Sequence, residues 1–501
     1  MIRIERVFKN QVNSNSMKFL SILLTVCLSL LTACNKGDSP HSAKSPIVFA
    51  IAQAPLNLDP RYATDAASER VNRLLYEPLV DFDEQSKLQP AVADWKRISP
   101  TQFRFVLKDQ QAIFHNGSQL TSADVAATYE SFKVLKSSPH AAEFANIQQI
   151  KVLDTKTLDF YLKQPDQQFI AKLIIGILPK ELIEAGHDFS HAPIGSGPFK
   201  FVSWGKQLTL ERIVDQQLVR LVEVKDPTVR VLKLLHGEVD MLQGDLPPEL
   251  VKHLQTKSEL TVVSGNGANF SYLGLNMQDP VLKTPKVRLA IAHAIDRQAI
   301  IQKVMVNNTR KAQAIFPPEH YTNAGAAELL SYDYNPVLAK KLLLEAGVRL
   351  PLHLVYKTST DAQRVRFATI MQAQMQAAGI ALEIRSLDWG TFFEDVKQGN
   401  FQLYGLTWVG IKTPEIYTKA FGSNSMPPNG FNRGRYMDAE LDELLGKEDW
   451  PAVTQRIHSQ LPYIPLWYEG QFVAMSKGIH HYAPKSDGNW DDLAKVKKDA
   501  H

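Results

Sequence analysis

Few residues of this 501-residue chain stand at the spacings that chemistry demands. The two cysteines, Cys27 and Cys34, both fall within the first 34 residues, so the rest of the chain has no thiol nucleophile and no disulfide. Ser196 lies between Gly195 and Gly197. A nucleophile elbow needs one further residue on each side of the serine, so this run reads as a sharp turn ahead of Pro198. His480 and His481 are the one adjacent histidine pair, and neither an HExxH nor a paired CxxC pattern accompanies them. Asp296 with Arg297, and Glu238 with Asp240, read as helix-end charges and caps rather than acid/base pairs. The expected catalytic set is empty, and so are the metal and cofactor sets. An exported hydrolase is the enzyme reading that this inventory disfavours.

Cys34 carries a different chemistry. It ends the run Leu31, Thr32, Ala33, Cys34, which follows an apolar stretch from Phe19 to Leu31 preceded by Lys18, Lys9 and Arg6. Cationic, then apolar, then small residues is the order of a secretion signal. The apolar stretch is about 13 residues, roughly 20 Å as a helix, against a bilayer core of about 30 Å. It is too short to anchor the protein by spanning. The pattern resembles the lipobox of bacterial lipoproteins, which implies acylation of Cys34, removal of residues 1–33 and a lipid tether. Met17 is an alternative start. Residues 34–46 are polar, with Gly, Ser, Pro and Lys, and read as a flexible tether.

Composition is that of a globular protein, with 44% hydrophobic and 22% charged residues. Residues 1–33 hold four cationic side chains and one acidic one, so their removal lowers the formal net charge from +4 to about +1. Near neutrality disfavours a general electrostatic binder of nucleic acid. A large core replaces disulfides as the source of stability.

The elements alternate. Strands are expected at Ile47 to Ile51, Phe103 to Leu107, Thr157 to Leu162, Ile380 to Ile384 and Phe401 to Trp408. Helices are expected at 122–132, capped by Thr121 or Ser122, at 286–304, at 336–346 stopped by Gly347, and at 365–378 stopped by Gly379. Mixed α/β architecture follows.

Several segments, in order, resemble the extracytoplasmic solute-binding proteins of the dipeptide, oligopeptide and nickel uptake family, family 5, the binding components of ABC transporters. They include Leu58 Asp59 Pro60, Leu75 to Val80, Phe114 His115 Asn116 Gly117, and Leu120 to Val125. Further on stand Ile194 to Phe199, Gly237 Glu238 Val239 Asp240, Tyr272 to Asn276, Ala294 to Arg297, and Ala339 to Gly347. The last are Trp408, Asn432 to Tyr436, and Pro462 to Tyr468. The resemblance covers nearly the whole chain after the tether.

That resemblance implies an α/β fold of two lobes around a cleft, with an additional domain inserted in the first lobe. Carried over, lobe I comprises 47–75, 191–272 and 464–501, the insert 76–190, and lobe II 273–463, with two strands crossing between lobes to allow hinge closure. The implied function is a lipid-anchored, monomeric component that captures a peptide or peptide-like small solute for an inner-membrane permease. A ligand sensor or adaptor on the same fold is the alternative, as is a non-peptide solute. The implied ligand-binding residues are Trp408, Trp389, Val409, Gly410, Ile411, Lys412, Thr64, Asp65, Ala66, His140 and Asn276.

One departure bears on the ligand. In peptide-binding relatives an aspartate just after the cleft tryptophan pairs with the ligand's α-amino group, whereas this chain reads Trp408, Val409, Gly410, Ile411, Lys412, Thr413, Pro414, Glu415. A desolvated ammonium without a carboxylate costs several kcal/mol. Three readings stay open: Glu415 or Asp65 takes the role, the ligand lacks a free amine, or Lys412 binds an anionic group.

Overall fold

The computed structural model describes residues 45–109, 112–135, 137–305, 308–322, 329–428 and 430–499. The leader at 1–33, Cys34 and nearly all of the tether lie outside the described residues. Among those described, no helix is long and apolar enough to cross a membrane.

The apolar run Ile47–Ile51 is a strand paired in parallel on both sides, with Leu218–Glu223 and Met241–Gln243. Both of its edges are therefore paired, and both of its faces are packed, Ile47, Phe49 and Ile51 in one core and Ala50 with Val48 in another, which is why its residues are apolar and nearly all buried. It belongs to a large mixed sheet, in the order Ile380–Leu387, Leu352–Ser359, Leu403–Trp408, Leu260–Leu275, Tyr463–Ser476, Met241–Gln243, Ile47–Ile51, Leu218–Glu223, Leu208–Arg212, Phe199–Trp204. Two strands dominate it. Leu260–Leu275 has 16 residues and Tyr463–Ser476 has 14, and they run antiparallel from Leu260 opposite Ser476 to Gly274 opposite Tyr463.

Their ladder is interrupted between Gly265 and Asn269. At Gly267 a side chain is impossible, because a Cβ there would lie 1.6 Å from the Glu469 carbonyl oxygen. On one side of the break, Phe472 and Ala474 join a core with Leu242, Val251 and Leu254. Val473 and Met475 join another with Phe49, Leu75 and Trp490. On the other side, Leu273, Leu466 and Trp467 join a core with Ile291 and Met371. Phe270, Tyr272 and Tyr468 join an aromatic one with Tyr417 and Phe421.

Between Leu75 and Phe199 the chain builds a separate antiparallel sheet, ordered Ala93–Ser99, Gln102–Leu107, Thr157–Leu162, Ile147–Val152. It packs on the helix Ser122–Ser131 through Phe105, Tyr129 and Phe160. That helix opens with a capping box formed by Thr121 and Asp124. The join to the large sheet is backbone on backbone: Gly197 N–H donates to the Leu75 carbonyl at 2.9 Å, and His115 N–H to that of Gly195 at 2.8 Å. The sharp turn expected at Gly195 to Gly197 is instead an irregular segment with a bend at Gly197, and its glycines are required by close approach, since a Cβ on Gly195 would lie 2.0 Å from the Leu75 carbonyl oxygen.

The helix expected over 286–304 is two helices, Pro285–His293 and Arg297–Lys303. Asp296 caps the second by accepting from Ala299 N–H at 2.8 Å. Arg297 turns inward and donates to the carbonyls of Ala312, Pro465 and Tyr332 at 2.8, 2.9 and 3.0 Å. Burial lowers its guanidinium to about 10, yet it remains charged at neutral pH. A continuous helix would carry this side chain away from those carbonyls.

A Cβ on Gly197 would come within 2.5 Å of the Leu74 carbonyl oxygen, whereas one on Gly205 would meet nothing within 4 Å. We expect Gly197→Ala to lower unfolding stability by about 1–3 kcal/mol, and Gly205→Ala to change it little. Urea melts of the two variants check the contrast.

Candidate functional site

The strand Leu403–Trp408 pairs with Leu260–Leu275, placing Trp408 opposite Phe270 and Leu406 opposite Tyr272. Alternation sends Tyr404, Leu406 and Trp408 to the aromatic core face. Trp408 is half-buried there, stacked on Tyr272 at a centroid separation of 6.2 Å and tilted against Phe431 at 5.7 Å. The chain then leaves the sheet. Val409 is 59% exposed, Gly410 has φ +69°, and Ile411 packs partly on the aromatic core.

Lys412 reaches away from its own strand. Its Nζ lies 2.8 Å from Asp487 Oδ2 and 5.5 Å from the centroid of the Phe82 ring. Burial pushes the Asp487 carboxyl up, but the Lys412 ammonium and its hydrogen bond outweigh that and hold it below the usual range. The backbone of Lys412 is held as well, because its carbonyl faces His320 Nε2 at 2.9 Å. His320 Nδ1 accepts from Thr322 N–H at 3.2 Å, so Nε2 carries the proton and the ring is neutral. Phe316 stacks on that ring at 3.8 Å.

These segments surround a cavity of about 770 Å³, a size suited to a small solute. Its walls come from the hairpin residues Phe82 to Ser86, the interrupted strand at Asn266 to Asn269, Glu319 and His320, Gly410 to Lys412, and the chain from Ala483 to Asp487. The charges in these walls pair with one another. Arg73 lies 2.7 Å from Asp81 and 2.9 Å from Asp491, Arg310 pairs with Glu319 at 2.5 Å, and Lys485 with Glu84 at 3.2 Å. The cavity is polar without an uncompensated wall of one sign.

Of the residues expected from the sequence, Gly410, Ile411 and Lys412 line this cavity, and Trp408 and Val409 lead into it. Trp389 opens the helix Trp389–Gln398, is 57% exposed and stacks on Phe393 at 5.4 Å. Thr64, Asp65, Ala66 and His140 form a second group outside the cavity wall. Thr64 and Ala66 are exposed, Asp65 caps the helix Ala66–Leu75 by accepting from Ser68 N–H, and His140 Nε2 lies 2.8 Å from the Ala63 carbonyl. The Glu143 carboxylate, 3.7 Å from His140 Nδ1, raises the His140 ring above its ordinary value.

Two expectations need correction. Asn276 is 8% exposed, donates to the carbonyls of Gly399 and Phe401 at 3.1 and 2.9 Å, and accepts from Gln278 N–H. Its amide holds a turn and has no free edge for a solute. Lys412 as an anion binder is corrected too, because Asp487 already neutralises it. The carboxylates considered as replacements for the absent aspartate are also engaged, Asp65 as a cap and Glu415 with Lys419 at 3.1 Å. Sequence reasoning missed Asp487, His320 and Phe82. No local spacing signals them, since each arrives from a different part of the chain.

Burial lowers the His320 ring to about 4. Its folded value thus lies below the unfolded value of about 6.5, so protonation favours unfolding. Stability should fall as pH drops from about 6.5 to about 4, with His320 contributing about 3 kcal/mol of the loss. In thermal melts across this range His320→Gln should show a shallower decline; an unchanged decline would count against it.

The model for bacterial extracellular solute-binding proteins, family 5, middle region, matches residues 87–426. The oligopeptide-binding protein AppA of Bacillus subtilis is 24% identical over 534 aligned positions, spanning 94% of this chain and 97% of its own. The glutathione-binding protein GsiB of Shigella boydii is 24% identical over 497 positions, 91% of this chain and 94% of its own. The crystal structure of the ABC transporter substrate-binding protein CtaP from Listeria monocytogenes matches with a TM-score of 0.80 at 21% identity, covering 91% of this chain and all of that one. The interrupted two-strand ladder, the cavity beside it and the match across residues 87–426 lead to one conclusion: this chain belongs to the family 5 bacterial extracellular solute-binding proteins.

Proposed function

We propose that this protein is the lipid-anchored binding component of an ABC uptake transporter, capturing a peptide or peptide-like solute between two lobes and presenting it to a membrane permease. The observation that carries the reading is the cavity of about 770 Å³ at the interruption of the two long strands. In this reading lobe I is 47–75, 191–272 and 464–501, the insert is 76–190, and lobe II is 273–463. The interruption at Gly265 to Asn269 is the hinge. Relatives described as oligopeptide-binding and glutathione-binding support the solute class. Acylation at Cys34 supplies the anchor.

Lys412 with Asp487 and Arg366 with Glu249 are ion pairs between the lobes so defined, and Tyr321 N–H donates to the Gln85 carbonyl at 3.1 Å between lobe II and the insert. The first closes over the cavity itself. A solute without a free α-amino group is the second reading, favoured because Asp65, Glu415 and Asp487 each already have a partner.

Mass spectrometry of whatever co-purifies with residues 35–501 tests both readings. Peptides should be recovered; free N-termini on them would overturn the second reading, and a chemically unrelated solute the first. Cys34→Ala should release the full-length protein from membranes, and continued membrane association would remove the lipid anchor from the proposal. Lys412→Met combined with Asp487→Asn removes the closing pair without stranding a charge. It should shift the solute-free protein about tenfold toward an open form, a change of about 1.4 kcal/mol. A larger radius of gyration in small-angle scattering is the readout, and no change would exclude the pair as a latch.

A further inference from the structure

Arg433 has an unusual setting. Its guanidinium carbon lies 4.8 Å from the centroid of the Trp408 ring, 5.3 Å from that of Phe393 and 5.6 Å from that of Phe431. Among the described residues no carboxylate lies within ion-pair distance of it, and its side-chain hydrogen bond to Tyr272 Oη is a long one, 3.4 Å. By contrast, Arg61, Arg73, Arg310 and Arg456 each hold an acidic partner. Arg297 saturates three carbonyls.

The backbone that presents Arg433 is fixed. The neighbouring Asn432 is 1% exposed, donates to the Tyr436 and Gly422 carbonyls at 2.7 and 3.1 Å, and accepts from Tyr436 N–H at 2.9 Å. Ring faces stabilise a cation and displace water from its faces, but they do not satisfy its N–H groups. What remains is the in-plane edge of the guanidinium, a fork of donors that matches a carboxylate in two parallel hydrogen bonds. Around it the surface is apolar and open: Trp389 is 57% exposed, Phe431 42% and Val409 59%. Arg433 and Trp408 lie outside the wall of the large cavity, but Trp408, against which the cation rests, runs through Val409 into the Gly410 to Lys412 loop that lines it.

We propose that Arg433 is the anion-recognising residue of the solute site, taking a carboxylate of the bound solute while Trp408, Phe393 and Phe431 hold its guanidinium on edge. The inference rests on the solute-binding reading above and sharpens it to solutes that carry an anionic group. The carboxylate comes either from a chain terminus or from an acidic side chain.

Matched synthetic peptides distinguish these sources. Calorimetric titrations of the mature chain would compare tetra-alanine with its C-terminal amide, and Ala-Ala-Asp amide with Ala-Ala-Asn amide. The wild-type protein should bind the acid member of at least one pair tenfold or more tightly; the first pair reports a terminal carboxylate and the second a side chain. Arg433→Gln should bring that ratio to about one, and Arg433→Lys should retain only part of it, with melting curves showing that each variant is folded. Equal binding within both pairs by the wild type, or an undiminished ratio in folded Arg433→Gln, overturns the role of Arg433 while the peptide reading stands. Failure of the wild type to bind any of the four overturns both.

Discussion

The long ladder between Leu260–Leu275 and Tyr463–Ser476 is the constraint on which the remaining architecture depends. A regular ladder of this length would be a stiff ribbon, and cores built on its two ends would keep one fixed angle. The register shifts twice, between Gly265 and Asn269 and between Ser271 and Tyr272, and at the first of these the absence of a side chain on Gly267 lets the Glu469 carbonyl approach. Residues of this interruption, Asn266 to Asn269, also form part of the cavity wall. The geometry of the break and the shape of the cavity are therefore one feature of the backbone. Conformational change and solute capture are coupled in the proposed function for that reason.

Charge is distributed around the cavity so that little of it is free. Arg73, Arg310, Lys412 and Lys485 each have a carboxylate, which tempers the cost of placing many ionic groups at a concave surface. Lys412 stands where peptide-binding relatives were expected to place an acid, yet the structure neutralises it with Asp487, more than seventy positions along the chain. In the proposed function, recognition falls to groups whose hydrogen-bonding capacity is unfilled. Arg433, supported by ring faces, is the clearest of these.

Much of the fold was legible because its determinants are local. Ile47–Ile51 announced itself as an unbroken apolar run, and the helices Ser122–Ser131 and Pro336–Glu345 by their caps and glycine stops. The single helix expected over 286–304 failed for a non-local reason. Arg297 is needed by carbonyls at Ala312, Tyr332 and Pro465, and only a new helix beginning at Asp296 delivers it to them. The candidate site was legible in the same uneven way. Gly410 to Lys412, expected from the sequence, line the cavity, whereas His320, Phe82 and Asp487, which hold Lys412, were not among the expected residues.

By itself, the sequence determined the alternating α/β elements, the helix-stopping glycines Gly347 and Gly379, and the tryptophan-led segment beside the cavity. These follow from periodicity, steric demand and residue type over a few neighbouring positions. Tertiary structure alone decided which polar groups are already satisfied. It engaged Asn276 with backbone carbonyls, closed Lys412 onto Asp487, and left Arg433 between aromatic rings without an acidic partner among the described residues. A side chain's capacity to bind depends on what remains of its hydrogen bonding and charge after folding, and that remainder is set by partners distant in the chain.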